Sequence, residues 1–188
     1  MRPDLVLLAG PNGAGKSTFY EAHLCATGLP FLNSDVVARD LGVTDYEASK
    51  ALDAVRDLYI ERKLSFISET VFSDPVGAKV AMLRRAMEAG FQVRLLYVGL
   101  DSAALAQARV RHRVGNGGHP VPLDKIVARF PRSLANLALA VKFVESVEIF
   151  DNSDVENPHR RIAHFAAGVL RWKIDEIVPA WARQVLKV

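Results

Sequence analysis

The stretch Leu5-Val-Leu-Leu-Ala-Gly-Pro-Asn-Gly-Ala-Gly-Lys-Ser-Thr18 decides the fold, because an apolar run leads directly into a glycine-rich loop. The run at 5–9 is typical of a strand that is buried on both faces of a parallel sheet. The loop fits the pattern G-x-x-x-x-G-K-[ST], whose glycines let backbone N–H groups point at phosphate oxygens. The helix predicted after it, at 16–27, places those phosphates at the positive end of a helix dipole. The sequence therefore predicts a strand, a phosphate-binding loop and a helix.

The loop residues are predicted to bind ATP or GTP together with Mg²⁺. Lys16 would reach the β- and γ-phosphates, and Ser17 would place its hydroxyl on Mg²⁺. The other nucleotide contacts predicted in this loop are Gly10, Asn12, Gly13, Ala14, Gly15 and Thr18. Asn152 is predicted near the nucleotide base, and the alternative for it is the capping of a turn. An ordinary glycine-rich turn is the alternative for the loop, but a chance match in a chain of this length is below about one in a hundred.

The composition limits the classes of protein to which the chain can belong. Half of the 188 residues are hydrophobic and 24% are charged, as in a globular domain with a sizeable core. The net charge of +3 does not by itself indicate nucleic-acid binding, and an anionic small-molecule substrate explains it as well. No signal peptide and no membrane-spanning stretch is visible, and a single cysteine excludes an internal disulfide. We expect one domain over residues 1–188, located in the cytoplasm, without nucleic acid or membrane as partner.

Strand and helix patterns alternate along the chain, which predicts an α/β fold with a parallel sheet of about five strands and helices on both faces. Further strands are predicted at 29–33, 64–69 and 91–98, and a fifth strand with its exit at 147–153, with an edge strand at 161–165. Helices are predicted from a capping box at Thr44 and Glu47, from Asp74-Pro75, and after Asp101-Ser102. The last two predicted helices cover 122–145 and 174–186.

Two carboxylates are predicted at the carboxyl edge of the sheet, where ligands bind in open parallel sheets. Asp35 follows the second strand, and its alternative role is to cap the helix that comes next. Glu69 ends the third strand, beside the phosphate loop, which is the usual position of an acid that orders Mg²⁺ or its water shell. The alternative for Glu69 is a surface carboxylate at the end of a strand. The neighbouring hydroxyls of Ser34 and Thr70 are predicted to face the substrate.

A helical lid is predicted at about 109–122. Arg109 and Arg113 are four residues apart on one helical face, and the alternative for them is a solvated surface. The helix runs into Gly115-Asn-Gly-Gly-His-Pro-Val-Pro122, and a glycine-rich loop between two helices is typical of a hinge or lid. Arginines at the base of such a lid, with Arg132 on the next helix, are well placed to close over phosphates.

A series of short motifs runs from the phosphate loop to residue 153. It comprises Gly10-Pro-Asn-Gly-Ala-Gly-Lys-Ser-Thr18, Asn33-Ser-Asp35, Ser68-Glu-Thr70, Val98-Gly-Leu100, Arg109-Val-Arg-His-Arg-Val114, Gly117-Gly-His-Pro-Val-Pro122, Arg132-Ser133, Asn136-Leu137 and Asp151-Asn-Ser153. The series resembles the zeta-toxin family, and most closely its short members described as predicted ATPases or kinases. Many families share the phosphate loop, whereas Gly-Gly-His-x-Val-Pro followed by Arg-Ser and Asp-Asn-Ser is far more specific. The resemblance implies a P-loop kinase-type domain.

The resemblance also implies phosphoryl transfer from a nucleoside triphosphate to a sugar hydroxyl, with UDP-N-acetylglucosamine as the substrate of the bacterial toxins and an antitoxin as a protein partner. Asp35 matches the family's proposed general base, and Glu69 matches the acid after the third strand. Arg109 matches the first of two arginines that contact the transferring phosphate. His119 occupies the position at which the larger toxins have the second of these arginines. Histidine is a weaker cation than arginine, and its charge depends on pH. A different small molecule with a hydroxyl group therefore remains an alternative to UDP-N-acetylglucosamine as the acceptor.

These observations predict in-line phosphoryl transfer from ATP or GTP to a hydroxyl of a small molecule. Asp35 would receive the proton of the hydroxyl. Arg109, helped by Arg113 or Arg132, would stabilise the charge on the moving phosphoryl group. Asp35 and Glu69 could exchange roles, because both are expected at the same edge. The alternatives are a non-catalytic nucleotide-binding switch and an ATPase that acts with a protein partner.

Overall fold

The computed structural model describes residues 1–115 and 120–187 of the chain. Its strands are β1 (Asp4–Ala9), β2 (Phe31–Leu32), β3 (Phe66–Thr70), β4 (Gln92–Gly99), β5 (Ser146–Asp151), β6 (Arg160–Ala166) and β7 (Val169–Lys173). They form one sheet in the order β2-β3-β1-β4-β5-β6-β7. The first five strands are parallel, and β6 and β7 extend the sheet in antiparallel pairing. The predicted α/β architecture is confirmed, and the antiparallel strands β6 and β7 lie beyond the parallel sheet of about five strands that was expected.

Helices cover both faces of this sheet. They are α1 (Lys16–His23), α2 (Ser34–Leu41), α3 (Asp45–Glu61), α4 (Ala78–Glu88), α5 (Ala103–Gly115), α6 (Leu123–Ala140) and α7 (Ala180–Leu186). A short 3₁₀ turn, Cys25–Thr27, follows α1. Within residues 1–115 and 120–187, none of the helices combines the length and the hydropathy needed to cross a membrane.

β1 is buried on both faces, as its continuous apolar run predicts. Leu5 and Leu7 point into a core formed with α4, α7 and the end of α6. Val6 and Leu8 alternate with them and point into a second core formed with α1 and α5. Because β3 and β4 pair with β1 in parallel, the carboxyl ends of three central strands meet where the phosphate loop begins.

Two helix starts differ from the prediction. Asn33 caps α2, because its side-chain oxygen accepts the backbone N–H of Asp35 at 2.8 Å. The alternative role of Asp35 as the N-cap is therefore wrong. The helix predicted from Asp74-Pro75 begins only at Ala78, and Gly77 in the left-handed conformation precedes it. The Asp74 carboxylate still accepts a backbone N–H of this first turn, from Ala78.

The C-terminal part also departs from the prediction. The strand expected at 161–165 as an edge is β6, and it lies between β5 and β7. β7 was not predicted, because its side chains are mostly exposed and give no apolar alternation. The last helix begins at Ala180 instead of residue 174. Pro179 precedes it in an extended conformation, as expected for a residue whose ring excludes it from a helix interior.

The close approach of the phosphate loop to β4 can be tested at Gly10. A Cβ at Gly10 would lie 2.1 Å from the backbone oxygen of Val98, whereas a Cβ at Gly90 meets nothing within 4 Å. Both glycines have positive φ, so Gly90→Ala is a matched control for backbone strain. We expect Gly10→Ala to lower the free energy of unfolding by about 1–3 kcal/mol more than Gly90→Ala does, measured by urea unfolding. Equal losses in the two variants would contradict this close approach.

Candidate active site

A cleft of about 630 Å³ lies at the carboxyl edge of the sheet. The phosphate loop, the ends of β2 and β3, one face of α3, the start of α4 and residues of α5 and α6 line it. The predicted site residues that it brings together are Asn12, Gly13, Gly15, Lys16, Ser17, Thr18, Ser34, Asp35, Glu69, Thr70, Arg109, Arg113 and Arg132. Gly10, Ala14 and Asn152 are buried next to it. His119, which was predicted to belong to the lid, lies outside the described residues.

The phosphate loop depends on a glycine at the start of α1. Gly15 has a φ of +85° and is the N-cap residue of α1. A Cβ at Gly15 would lie 2.5 Å from Nδ2 of Asn152, so that a larger residue would displace the loop. Ser17, in the first turn of α1, is exposed and lines the cleft. Backbone N–H groups at a helix N-terminus after such a loop suit a phosphate group.

Lys16 and Glu69 form a buried pair in the cleft. The Nζ atom of Lys16 lies 3.6 Å from Oε1 of Glu69 and donates a hydrogen bond to the carbonyl of Pro11 at 3.2 Å. The amide of Asn33 donates to Oε2 of Glu69 at 2.9 Å. Burial raises the pKa of the Glu69 carboxyl, the charge of Lys16 opposes this shift, and the charge of Asp35 adds to it. The pair therefore combines a phosphate-binding cation with an oxygen ligand suited to Mg²⁺.

The raised pKa of Glu69 predicts that nucleotide binding weakens in mild acid. Only the ionised carboxylate attracts a divalent cation, so the affinity for ATP with Mg²⁺ should fall as the pH drops through a pKa above the ordinary 4.5. Glu69→Gln should lose this dependence, and Glu61→Gln on the exposed end of α3 should keep it. Titrations with a fluorescent nucleotide at several pH values measure the affinity of each variant. Protonation of the nucleotide affects all variants equally, so a difference between their pH profiles reports on Glu69. Identical pH profiles for the two variants would contradict the prediction.

For the protein without nucleotide, the pH dependence of the folding stability has the opposite sign to the pH dependence of nucleotide binding. Burial favours protonated Glu69 in the folded state. The contribution of Glu69 to the free energy of unfolding is therefore largest below its ordinary pKa of 4.5, and it decreases as the pH rises through the raised pKa.

Arg56 supports the end of β3 and was missed by the sequence analysis. Only 3% of it is exposed, and its guanidinium donates to Oγ of Ser68 at 2.7 Å and to the carbonyl of Glu69 at 3.0 Å. Burial lowers the pKa of Arg56, and the carboxylate of Asp53, 2.7 Å away, opposes this shift. A usable signal exists in the sequence, because Arg56 follows Leu52 by four residues and so falls on the buried face of α3.

The wall of the cleft that α3 provides is polar. Asp45, Ser49 and Asp53 are spaced by four residues along α3 and line the cleft. The carboxylate of Asp53 pairs with Nζ of Lys79 on α4 and with Arg56, and about half of it stays exposed. Burial acts to raise the pKa of Asp53, but the hydrogen bonds and charges of Lys79 and Arg56 outweigh it and hold that pKa below its ordinary value. This wall therefore presents an ionised carboxylate to the cleft.

Arg109 lies between the phosphate loop and the end of β5. Its guanidinium donates to the carbonyl of Ser153 at 3.2 Å. Partial burial lowers the pKa of Arg109, and the charge of Asp151 opposes this shift. Arg113 lines the same cleft, and its positive charge lowers the pKa of Glu69, against the effect of burial. Arg132 reaches the cleft from α6, where its Nε donates to a carbonyl one turn earlier at 3.0 Å.

Asn152 ties the end of β5 to the phosphate loop. Its Nδ2 donates to the carbonyl of Ala14 at 2.8 Å, and its Oδ1 accepts the backbone N–H of His159 at 3.1 Å. The His159 ring packs against Phe19, with 5.0 Å between ring centroids, and burial lowers its pKa. No motif in the sequence marks His159. The contact of Asn152 with a nucleotide base stays a prediction.

Comparison with known proteins places the chain among P-loop kinase folds. The AAA_33 family model, described as an AAA domain, matches residues 5–132. An uncharacterized protein of Haemophilus influenzae is 26% identical over 135 residues, which cover 69% of this chain and 94% of that protein. A crystal structure of AvrRxo1-ORF1:-ORF2 with ATP aligns with a TM-score of 0.64 at 14% identity, over 100% of this chain and 63% of that chain.

A second solved structure, of the PezAT chromosomal toxin-antitoxin system of Streptococcus pneumoniae, aligns with a TM-score of 0.59. Identity is 14%, and the alignment covers 99% of this chain and 77% of that chain. At such identities the two structures show the fold of this chain. Together with the family model they confirm the predicted resemblance to the fold of zeta-toxin-like P-loop kinases.

Proposed function

The chain belongs to the AAA_33 family of AAA domains, and we propose that it transfers the γ-phosphoryl group of ATP or GTP to a hydroxyl of a small molecule. The observation that carries the proposal is that one cleft contains the phosphate loop with Lys16, the buried acid Glu69 and the exposed carboxylate Asp35. A protein that only binds a nucleotide needs no exposed carboxylate across from the phosphate loop. An acceptor that must lose a proton does need one.

The nucleotide would be held by groups at the loop end of the cleft. The backbone N–H groups of the loop and the ammonium of Lys16 suit the β- and γ-phosphates. The hydroxyl of Ser17 and the carboxylate of Glu69 would hold Mg²⁺, because hard cations prefer oxygen ligands. When bound, Mg²⁺ supplies positive charge next to the phosphate oxygens. Arg56 fixes the backbone from which the Glu69 side chain leaves β3.

Transfer of the phosphoryl group to the acceptor requires a base for the proton of the acceptor hydroxyl and cations that stabilise the charge on the phosphoryl oxygens. As the acceptor oxygen bonds to the γ-phosphorus, the bond to the β-phosphate oxygen breaks and the hydroxyl proton passes to the carboxylate of Asp35. Arg109 and Arg113 stabilise the negative charge on the phosphoryl oxygens. Glu69 is less suited to be the base, because Lys16 and Asn33 already engage both of its oxygens.

The polar wall of the cleft supports a polar acceptor with several hydroxyl groups. Ser49 and Asp53 on α3 and Thr70 at the end of β3 offer hydroxyl and carboxylate groups that accept hydrogen bonds from such a molecule. A nucleotide sugar such as UDP-N-acetylglucosamine is one acceptor of this kind, and free sugars and polyols are others.

Release of the nucleoside diphosphate in the presence of a panel of acceptors tests the proposal. The panel contains UDP-N-acetylglucosamine, monosaccharides, sugar acids and polyols, each incubated with ATP or GTP and Mg²⁺. We expect one class to stimulate the release of ADP from ATP, or of GDP from GTP, above the rate without acceptor. If no member of a broad panel raises this rate although the nucleotide still binds, the result would favour a non-catalytic nucleotide-binding switch or an ATPase that acts with a protein partner.

A protein partner of the antitoxin type is the second candidate, because PezAT is described as a toxin-antitoxin system. Under this proposal the partner would inhibit a toxic phosphotransferase. Expression in a bacterial host should then slow growth, and Lys16→Ala should abolish the effect.

The cytoplasmic location and the organisation as a single domain stay predictions.

A further inference from the structure

The C-terminal segment, residues 160–187, lies beyond the family match but reaches the nucleotide side of the site. Trp181 on α7 packs on the end of β4, where a Cβ at Gly99 would lie 2.2 Å from the indole ring. Only 7% of Trp181 is exposed, so its N–H needs a partner inside the protein. That partner is Oδ1 of Asp151, at 3.0 Å.

Asp151 is the last residue of β5, and only 5% of it is exposed. A buried carboxylate is costly unless donors surround it. Ser153 donates its hydroxyl to Oδ1 at 2.6 Å, in addition to the indole N–H of Trp181. The guanidinium of Arg160 on β6 lies 3.5 Å from Oδ2, and its other end donates to Glu176 at 2.9 Å. Donors from α7, from β6 and from the turn after β5 therefore fix this one side chain.

The turn that Asp151 fixes is in contact with the nucleotide side of the cleft. The carbonyl of Ser153 accepts the hydrogen bond from Arg109, and Asn152 bonds to the carbonyl of Ala14 in the phosphate loop. The backbone N–H of Asn152 donates to the carbonyl of Gly99 at 3.0 Å, which anchors the turn on β4. A shift of the Asp151 side chain would therefore move the acceptor atom that orients Arg109.

We infer that Asp151 is a positioning residue, through which the C-terminal segment orients Arg109 toward a bound nucleotide. The inference rests on the proposed function for the role of Arg109. Asp151 is not among the residues that line the cleft, so it is not placed to touch nucleotide or acceptor. It acts through Ser153, whose hydroxyl it holds and whose carbonyl holds Arg109.

A double-mutant cycle on the affinity for ATP tests this inference. Asp151→Asn is measured in the wild type and in Arg109→Ala, by titration with a fluorescent ATP analogue. If Asp151 acts through Arg109, we expect Asp151→Asn to weaken binding by about 10-fold when Arg109 is present and by less than about 2-fold when it is absent. A role limited to anchoring α7 would lower thermal stability and weaken binding by the same factor in both backgrounds, and this result would overturn the inference.

Trp181→Phe provides a second variant in case Asp151→Asn folds poorly. It removes the N–H that reaches Asp151 and also the outer edge of the indole that packs on Gly99, so its effect is compared with Arg109 present and absent. Trp172→Phe, at a half-exposed position on β7, is the matched control. Trp181→Phe should weaken ATP binding by about 3-fold only when Arg109 is present, and Trp172→Phe should leave it unchanged. Equal affinities for Trp181→Phe and its control would count against the inference. Because binding is measured, a failure of phosphoryl transfer would refute the proposed function separately.

Discussion

Replacing Asp35 with asparagine is expected to lower phosphoryl transfer by roughly 10²–10⁴-fold, because an amide cannot take the proton of the acceptor hydroxyl. The affinity for ATP and the thermal stability should stay near the wild-type values. Asp35 is exposed in the cleft, so the substitution leaves no buried group without a partner. The helix start is also preserved, because α2 is capped by Asn33 and only the backbone N–H of Asp35 takes part.

The matched control for this variant is Asp40→Asn, on the same helix. Asp40 is exposed and pairs with its neighbour Arg39, outside the residues that line the cleft. Asp40→Asn should transfer phosphate at the wild-type rate. Near-normal transfer by Asp35→Asn would remove Asp35 from the mechanism and leave Glu69 as the next carboxylate to examine.

Lys16→Ala is expected to reduce transfer by about 10²–10³-fold or more, the effect of removing one preorganised electrostatic contact to the reacting group. The affinity for ATP should fall as well, because Lys16 is the cation predicted to bridge the β- and γ-phosphates. The variant has a second effect. It removes the positive charge that opposes the raised pKa of Glu69, so the carboxylate is more readily protonated and attracts Mg²⁺ less strongly.

Lys50→Ala controls for the loss of a lysine, since Lys50 is exposed on α3. Circular dichroism melting curves should show that both variants remain folded, and calorimetry with ATP should show lost binding only in Lys16→Ala. Unchanged affinity and turnover in folded Lys16→Ala would mean that the nucleotide binds elsewhere.

The central part of the fold could be predicted because it depends on short patterns. The apolar run before the phosphate loop specifies a strand with two buried faces, and Leu5 and Val6 do point into opposite cores. The capping box at Thr44 and Glu47 specifies the start of α3, which begins at Asp45. β7 and the late start of α7 could not be predicted in the same way. β7 is mostly exposed at the sheet edge, so tertiary pairing with β6 rather than an apolar pattern defines it.

The candidate site was predictable where topology alone brings residues together. Asp35 follows β2 and Glu69 lies at the carboxyl end of the neighbouring parallel strand β3, so the correct sheet alone predicts that both lie near the phosphate loop. No roles were predicted for Arg56, Asp53 and Asp151, because these roles depend on tertiary contacts. Asp151 belongs to the motif Asp151-Asn-Ser153, but the motif does not show what its carboxylate contacts. Arg56 is the partial exception, since a charged residue in the buried register of α3 is visible in the sequence.

The fate of a labelled γ-phosphate tests the central claim most directly. The protein is incubated with ATP labelled at the γ-position, Mg²⁺ and the acceptor panel, and the labelled products are separated and identified by mass spectrometry. If the cleft is the site of phosphoryl transfer to a hydroxyl, the label appears in an organic phosphate monoester, only when the acceptor is present, and not with Lys16→Ala. Label found only in inorganic phosphate, or retained in bound ATP, would contradict the proposed phosphotransferase.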